Sequence, residues 1–383
     1  MSGLSVGDRV LLERADFPKF LSSIQGMGYK VVGPTVRDNV IVLGDIKQES
    51  DLPIGWTDKQ APGKYRIEKR KDAALFGYNV GPHSWKKYLY LSRERLWTLN
   101  KEGKSFKITP EPTDGPKMAF LGMRACELAA VSIQDKVFDS AVADAAYHAR
   151  RSRILKIAVQ CSQAGETCFC ASMGTGPAVK GNHDLALTEI LSGKRHSFVI
   201  EIGTPAGAAV LAKVPTRPAP PADTKAVADQ ATEVSTKMGR KLDTNGIREL
   251  LQSNLDHPRW EEVSKRCLLC ANCTMSCPTC FCSTTEEIPD LAGKTSERWR
   301  RWDSCFNLQF TELLGKSVRK SAVSRYRQWH THKLAGWKDQ FGTLGCVGCG
   351  RCITWCPVGI DITEEAAAIR ASPGKVQQSG VKT

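Results

Sequence analysis

The chain has 383 residues, fifteen cysteines and a formal charge of +14, a length that suits two domains with sizeable cores. No apolar run approaches a membrane span, and Met1-Ser2-Gly3-Leu4-Ser5-Val6 lacks the basic and apolar regions of a signal peptide; no membrane role is expected, and the cysteines point to metal in a reducing cytoplasm rather than to disulfides. Basicity alone would suit nucleic acid, but no recognition motif accompanies it, so no nucleic acid is expected; anionic cofactors and acidic partner subunits are the expected counterweights.

Residues 1 to about 110 read as α/β. Asp16-Phe17-Pro18 opens a helix with an N-cap and an early Pro, and Tyr29–Pro34 and Asn39–Leu43 read as strands around a turn. Gly81-Pro82-His83-Ser84-Trp85-Lys86-Lys87 suggests a contact loop or, more simply, an ordinary turn with a buried Trp. Met118–Gly122 and Ile154–Gln160 are short apolar strands, and Ala129 to Arg151 between them reads as helix, giving a βαβ unit with a parallel pair. Cys126 and Cys161 fall at or just past the C-terminal ends of those strands, the edge where open α/β sheets hold ligands. With Cys168 and Cys170 they make four thiols, read as a third [4Fe–4S] site with irregular spacing. Packed apolar thiols, or a zinc set, are the alternatives.

Ser197–Glu201 and Ala209–Ala212 read as strands, and Val214–Pro221 as a stiff Pro-rich connection. Residues 222–266 read as helical, with Ile247, Leu250, Leu251 and Leu255 on one face.

Two runs near the C-terminal end carry the strongest signal. Cys267, Cys270, Cys273 and Cys277, followed by Pro278, repeat the spacing C-x2-C-x2-C-x3-C-P of Cys346, Cys349, Cys352 and Cys356, followed by Pro357. This is the run of two-cluster ferredoxins, in which the first three thiolates hold one cluster and the fourth reaches the other. Cys267, Cys270, Cys273 and Cys356 are therefore assigned to cluster 1, and Cys346, Cys349, Cys352 and Cys277 to cluster 2. Four Cys within eleven residues, twice, do not suit a zinc ribbon. The long insert between the runs, including Ser296–Trp302 and Arg325–His330, reads as helical, as in an α-helical ferredoxin. From Ser296 to Lys333 it holds nine Lys/Arg against three Asp/Glu, which suggests a docking face for an acidic partner. Cys280, Cys282 and Cys305 have no evident partners in the sequence.

These motifs converge. Gly81–Lys87, Gly122-Met123-Arg124-Ala125-Cys126-Glu127, Thr167–Pro177, Cys277-Pro278-Thr279-Cys280-Phe281-Cys282 and Arg298–Phe306 together resemble the β subunit of cytoplasmic NADP-linked [NiFe] hydrogenases of the sulfhydrogenase type. They also resemble the corresponding iron–sulfur subunit of anaerobic sulfite reductase. The resemblance spans nearly the whole chain. It implies a non-catalytic iron–sulfur relay between a flavin, NAD(P)-binding subunit and the hydrogenase small and large subunits. The chain has no G-x-G-x-x-G dinucleotide motif of its own. The other readings are a component of a sulfite or sulfur reductase complex and an iron–sulfur redox sensor.

The expected fold is α+β. Residues 1–213 form an α/β domain with the third site, residues 214–255 a Pro-rich linker and helix, and residues 256–383 an α-helical dicluster ferredoxin domain. Three [4Fe–4S] clusters are the expected cofactors.

Overall fold

The computed structural model describes residues 3–113, 115–139 and 142–372. Strand β1 (Arg9–Glu13) leads into the helix Phe17–Gly26, where Pro18 occupies the first turn and Phe17, Phe20, Leu21 and Ile24 are buried. Strands β2 (Lys30–Arg37) and β3 (Val40–Asp45) pair antiparallel around Asp38-Asn39, both left-handed, as a tight hairpin turn requires. Two further hairpins follow, β4 (Trp56–Ala61) with β5 (Lys64–Lys69) and β6 (Arg93–Glu102) with β7 (Ser105–Pro110). Then come β8 (Met118–Met123), buried throughout, β9 (Ile154–Val159), β10 (Leu185–Ser192), β11 (Arg195–Ile202) and the short β12 (Arg217–Pro218). The last of these hairpins is β13 (Ser283–Pro289) with β14 (Thr295–Trp302).

The central sheet runs β12-β1-β11-β10-β9-β8-β2-β3. Its middle is parallel, β2 with β8, β8 with β9 and β9 with β10. The expected βαβ unit is thus present, although its crossover holds two helices, Ala125–Phe138 and Ala145–Arg151; Ser140 and Ala141 between them lie outside the described residues, as do Met1, Ser2 and 373–383. Ala209–Ala212 is not a strand. The helix Pro205–Leu211 runs there, with Thr204 accepting from Gly207 N and Pro205 in the first turn, so capping chemistry outweighs the apolar run. The Pro-rich connection adds β12 to the sheet edge beside β1. Ile247 and Leu251 are buried and Leu250 packs beside them, but Leu255 lies past the helix Ile247–Gln252 and is exposed.

The insert differs most from expectation. Arg325–His330 lies in the helix Ala322–Thr331, but Ser296–Trp302 is strand, not helix. It joins a second sheet ordered β13-β14-β6-β7. The interleaved Arg and Trp residues explain the pairing: the Arg298 guanidinium lies 4.7 Å from the Trp97 ring, and Arg93 lies 4.4 Å from that of Trp299. Cross-strand cation–aromatic contacts of this kind fix a sheet register. The same residues that suggested a docking face thus also make contacts within the chain, Arg300 buried and Arg298 and Arg301 partly exposed. Arg298 pairs with Glu287, Arg301 with Glu286, and Arg300 with both Glu94 and Asp144.

Around the two cysteine runs, short helices enclose a core of Trp260, Phe306, Tyr326, Trp329, Leu334 and Ile353. A separate core, including Trp85, Phe120, Cys126, Trp337, Val347 and Cys349, joins this region to one face of the central sheet. No described helix is long and apolar enough to cross a membrane.

Candidate metal centres

The two cysteine runs share one backbone course. Leu269 and Ala271 in the first, and Gly348 and Gly350 in the second, have left-handed φ at corresponding positions (55° and 65°, 64° and 75°). A non-Gly residue there costs about 1–2 kcal/mol, and the turns aim successive thiols inward. Glycine in the second run has a further reason. A Cβ on Gly348 would come within 2.6 Å of Cys170 N, and one on Gly350 within 2.5 Å of Thr167 O. The second run is clamped against the loop that carries Cys168 and Cys170; Phe169 N donates to Gly348 O at 2.8 Å.

Cys267, Cys270, Cys273 and Cys356 line one cavity, walled by Phe306, Tyr326 and Trp329 and holding about 410 Å³ of atom-free space including its mouth. Cys270 and Leu268 are exposed at that mouth. Cys352 also borders this cavity, so the second set lies directly behind the first.

In the second set, the Cys346, Cys349 and Cys352 thiols each feel the charge of Cys277. Cys277 thus sits with the second run although it belongs to the first. Its thiol is held well below the ordinary value by a hydrogen bond from Cys280 and, against burial, by the Lys333 ammonium. Lys333 Nζ reaches Cys277 Sγ at 3.5 Å, Thr279 Oγ1 at 3.0 Å and Gly345 O at 3.1 Å. Burial works against the Lys333 charge, but the surrounding thiols of Cys277, Cys280 and Cys346 hold it protonated.

The third set gathers at the C-terminal edge of the parallel strands. Cys126 lies in the first turn of the helix Ala125–Phe138, whose N-terminal dipole favours a thiolate. Cys161 follows β9. Cys126, Cys168 and Cys170 each feel Cys161 and one another or Cys349, and Cys168 Sγ lies 3.8 Å from Cys349 O. Burial, then neighbouring thiols, push Cys126 and Cys168 well above the ordinary thiol value. Such thiols become stable as thiolates only when bound to positive metal. Among the described residues, no group of three or more His, Cys, Asp or Glu side chains is placed to hold a single metal ion.

Arg124 lies near Cys161. Its guanidinium donates to Phe76 O and Tyr78 O at 2.8 Å and to Gln160 O at 3.0 Å, fixing the loops on either side of Cys161. The Gly81–Lys87 segment is no exposed contact loop: Trp85 and Lys86 are buried, and Gly81 O and His83 O each accept from Arg351 at 2.9 Å. Lys333 is the functional candidate that sequence reasoning passed over; Arg351 stands inside the second cysteine run and Lys86 inside the Gly81–Lys87 segment, where the sequence already marks them. The three unassigned thiols do have partners: Cys280 meets Cys277, and Cys282 meets Cys305.

Comparison with known proteins places these features. Residues 266–360 match the 4Fe-4S dicluster domain family. The chain is also similar to sulfhydrogenase 2 subunit beta of Pyrococcus furiosus, 25% identical over 367 residues that cover 92% of this chain and 95% of that protein. The resemblance drawn from the sequence is borne out along nearly its full length, and the C-terminal part is an iron–sulfur dicluster domain.

Proposed function

We propose that this chain is the electron-relay subunit of a soluble cytoplasmic hydrogenase complex, passing single electrons between a flavin subunit that oxidises NAD(P)H and the small subunit that serves a nickel–iron large subunit. Its three cofactors are [4Fe–4S] clusters: cluster 1 on Cys267, Cys270, Cys273 and Cys356, cluster 2 on Cys346, Cys349, Cys352 and Cys277, and a third on Cys126, Cys161, Cys168 and Cys170. Bound clusters supply reversible one-electron chemistry. The protein's part is to hold them in file, exclude water and set their potentials through Lys333, Arg351 and the thiol of Cys280.

The observation that carries this reading is the contiguity of the three cysteine sets. Cys352 borders the first set's cavity, Cys349 contacts the third set, and Cys270 opens to solvent at one end. That contiguity supports a wire with one end in the α/β region and the other in the dicluster region. The test is the anaerobically purified full chain. It should hold about twelve iron per chain, pass electrons from a strong reductant to a viologen acceptor, and show no turnover with NAD(P)H, hydrogen or sulfite alone. Iron near eight would remove the third cluster, and direct NAD(P)H oxidation would overturn the relay.

A further inference from the structure

Cys280, Cys282 and Cys305 remain outside the three sets. Two of them are brought together by the insert hairpin. Ser283 pairs with Trp302 at the base of β13 and β14, and Asp303 N donates to Cys282 O at 2.8 Å. Cys282 therefore enters the hairpin beside the point where Cys305 leaves it. Their thiols are within hydrogen-bonding reach, and the Cys305 backbone N–H also points at the Cys282 sulfur. Backbone positions that bring two thiols this close permit a covalent S–S bond.

Two buried amines lie near the pair. Lys86 is buried, donates to Cys280 O at 3.1 Å and lies 4.0 Å from the Trp302 ring. Lys333 is buried as well. The acidic groups felt most by these two amines are thiols: Cys280, Cys277 and Cys282 for Lys86, and Cys277, Cys280 and Cys346 for Lys333. Burial lowers the Lys86 pKa against the pull of these thiols, whereas the thiols around Lys333 hold it protonated.

We infer that Cys282 and Cys305 form a redox-active dithiol, a two-electron store beside cluster 2. In the oxidising direction two S–H bonds break, one S–S bond forms, two protons leave, and two electrons pass one at a time to the neighbouring clusters. Reduction by those clusters runs the same step backwards. Hydride and hydrogen chemistry deliver electrons in pairs, whereas clusters carry one each; a dithiol on the path matches the two. The inference rests on the relay reading, since the clusters are its electron partner.

The full-length, cluster-loaded chain is prepared anaerobically and poised oxidised with thionine or reduced with titanium(III) citrate. It is quenched in acid, which halts thiol exchange, alkylated and mapped by mass spectrometry. The expected result is a Cys282–Cys305 linked peptide in the oxidised sample and two alkylated thiols in the reduced one. Full reduction should take about five electrons per chain, three for the clusters and two for the disulfide. Cys305→Ser should lower that to about three, with iron content and cluster resonance spectra unchanged. Equal alkylation in both states, with three electrons taken up, overturns the dithiol while leaving the relay intact. Loss of iron in Cys305→Ser overturns it by making Cys305 a cluster ligand. Absence of clusters from the wild-type chain overturns both. If the variant does not fold, thiol mapping and electron count on the wild-type chain decide the matter.

Discussion

Arg351, inside the second cysteine run, is ion-paired with Glu127, the third residue of the helix that carries Cys126. Both are buried, and Glu127 also accepts from Trp85 Nε1 and Arg124 N at 3.0 Å. The pair therefore ties the dicluster region to the third site. It also changes what Arg351 does electrically. An unpaired cation in that run would simply raise the potential of the nearest cluster. Here its charge is largely matched, and what reaches the clusters is the field of a dipole between Cys349 and Cys126.

Removing either end should consequently act in opposite directions. Arg351→Leu leaves the Glu127 carboxylate uncompensated and should lower the midpoint potentials of cluster 2 and the third cluster. Glu127→Gln should raise them. The double variant should return close to the wild-type potentials. Each single variant should also lose about 3–5 kcal/mol of stability, as expected for breaking a buried pair. Redox titration followed by paramagnetic resonance checks the signs. Shifts of the same sign in both single variants would refute the pairing as the source.

Arg300 and Arg301 are neighbours on β14 with different expected consequences. Arg300 is mostly buried, bonded to Glu94 at 2.6 Å and to Asp144, while Arg150 also holds Glu94. Arg300→Glu gathers three acids in one place and should cost about 3–5 kcal/mol. The Arg301 side chain is 51% exposed against Glu286, and Arg301→Glu should cost under about 1 kcal/mol. Thermal unfolding of the two variants measures the contrast. Equal, small losses accompanied by weakened complex assembly would support a docking role for this strand.

His330 gives a pH dependence. It is fully buried, near Trp260, with Nε2 3.3 Å from Ile362 O. Burial lowers its pKa to about 4, only partly opposed by the Ile362 carbonyl. In the unfolded chain it titrates near 6.5, so the unfolded state binds more protons below that pH. The stability from keeping His330 neutral is fully present above pH 6.5 and is lost as pH falls toward 4. Between pH 7.5 and 5 the loss should be about 2 kcal/mol. His330→Phe should flatten that slope in anaerobic unfolding of the cluster-loaded chain. An unchanged slope would assign the acid sensitivity to other groups.

Much of the candidate site's backbone was legible because cysteine spacing acts locally. Three thiols at two-residue gaps dictate the turn that Leu269, Ala271, Gly348 and Gly350 adopt, whatever surrounds them. Strands β8 and β9 were legible for the same reason, as short apolar runs with cysteines at their ends. The failures were non-local. Ser296–Trp302 carries a basic and aromatic pattern compatible with period 3.6 or 2. The choice was made by β6, some 200 residues earlier, which supplies Trp97 and Glu94. Arg351 likewise reads as a lone cation until Glu127, 224 residues away, is placed beside it.

Cys277 supplies the last prediction, since it is the residue on which sequence order and spatial order disagree. By sequence it ends the first run. In space it feels Cys346, Cys349 and Cys352, and Lys333 meets its sulfur. Cys356 makes the reverse exchange, lining the cavity of Cys267, Cys270 and Cys273 while accepting from Ile360 N at 3.3 Å. A serine oxygen is a poorer ligand to iron than a thiolate, so substitution should degrade or shift one cluster before its neighbours. Cys277→Ser should alter the resonance signal of the cluster on Cys346, Cys349 and Cys352, and Cys356→Ser that of the cluster on Cys267, Cys270 and Cys273. Cys267→Ser should match Cys356→Ser in the signal it disturbs, and Cys346→Ser should match Cys277→Ser. Four variants thus sort into two crossed pairs. If they sort instead by run, with Cys277→Ser matching Cys267→Ser, the exchange of fourth ligands is wrong and each run closes its own cluster.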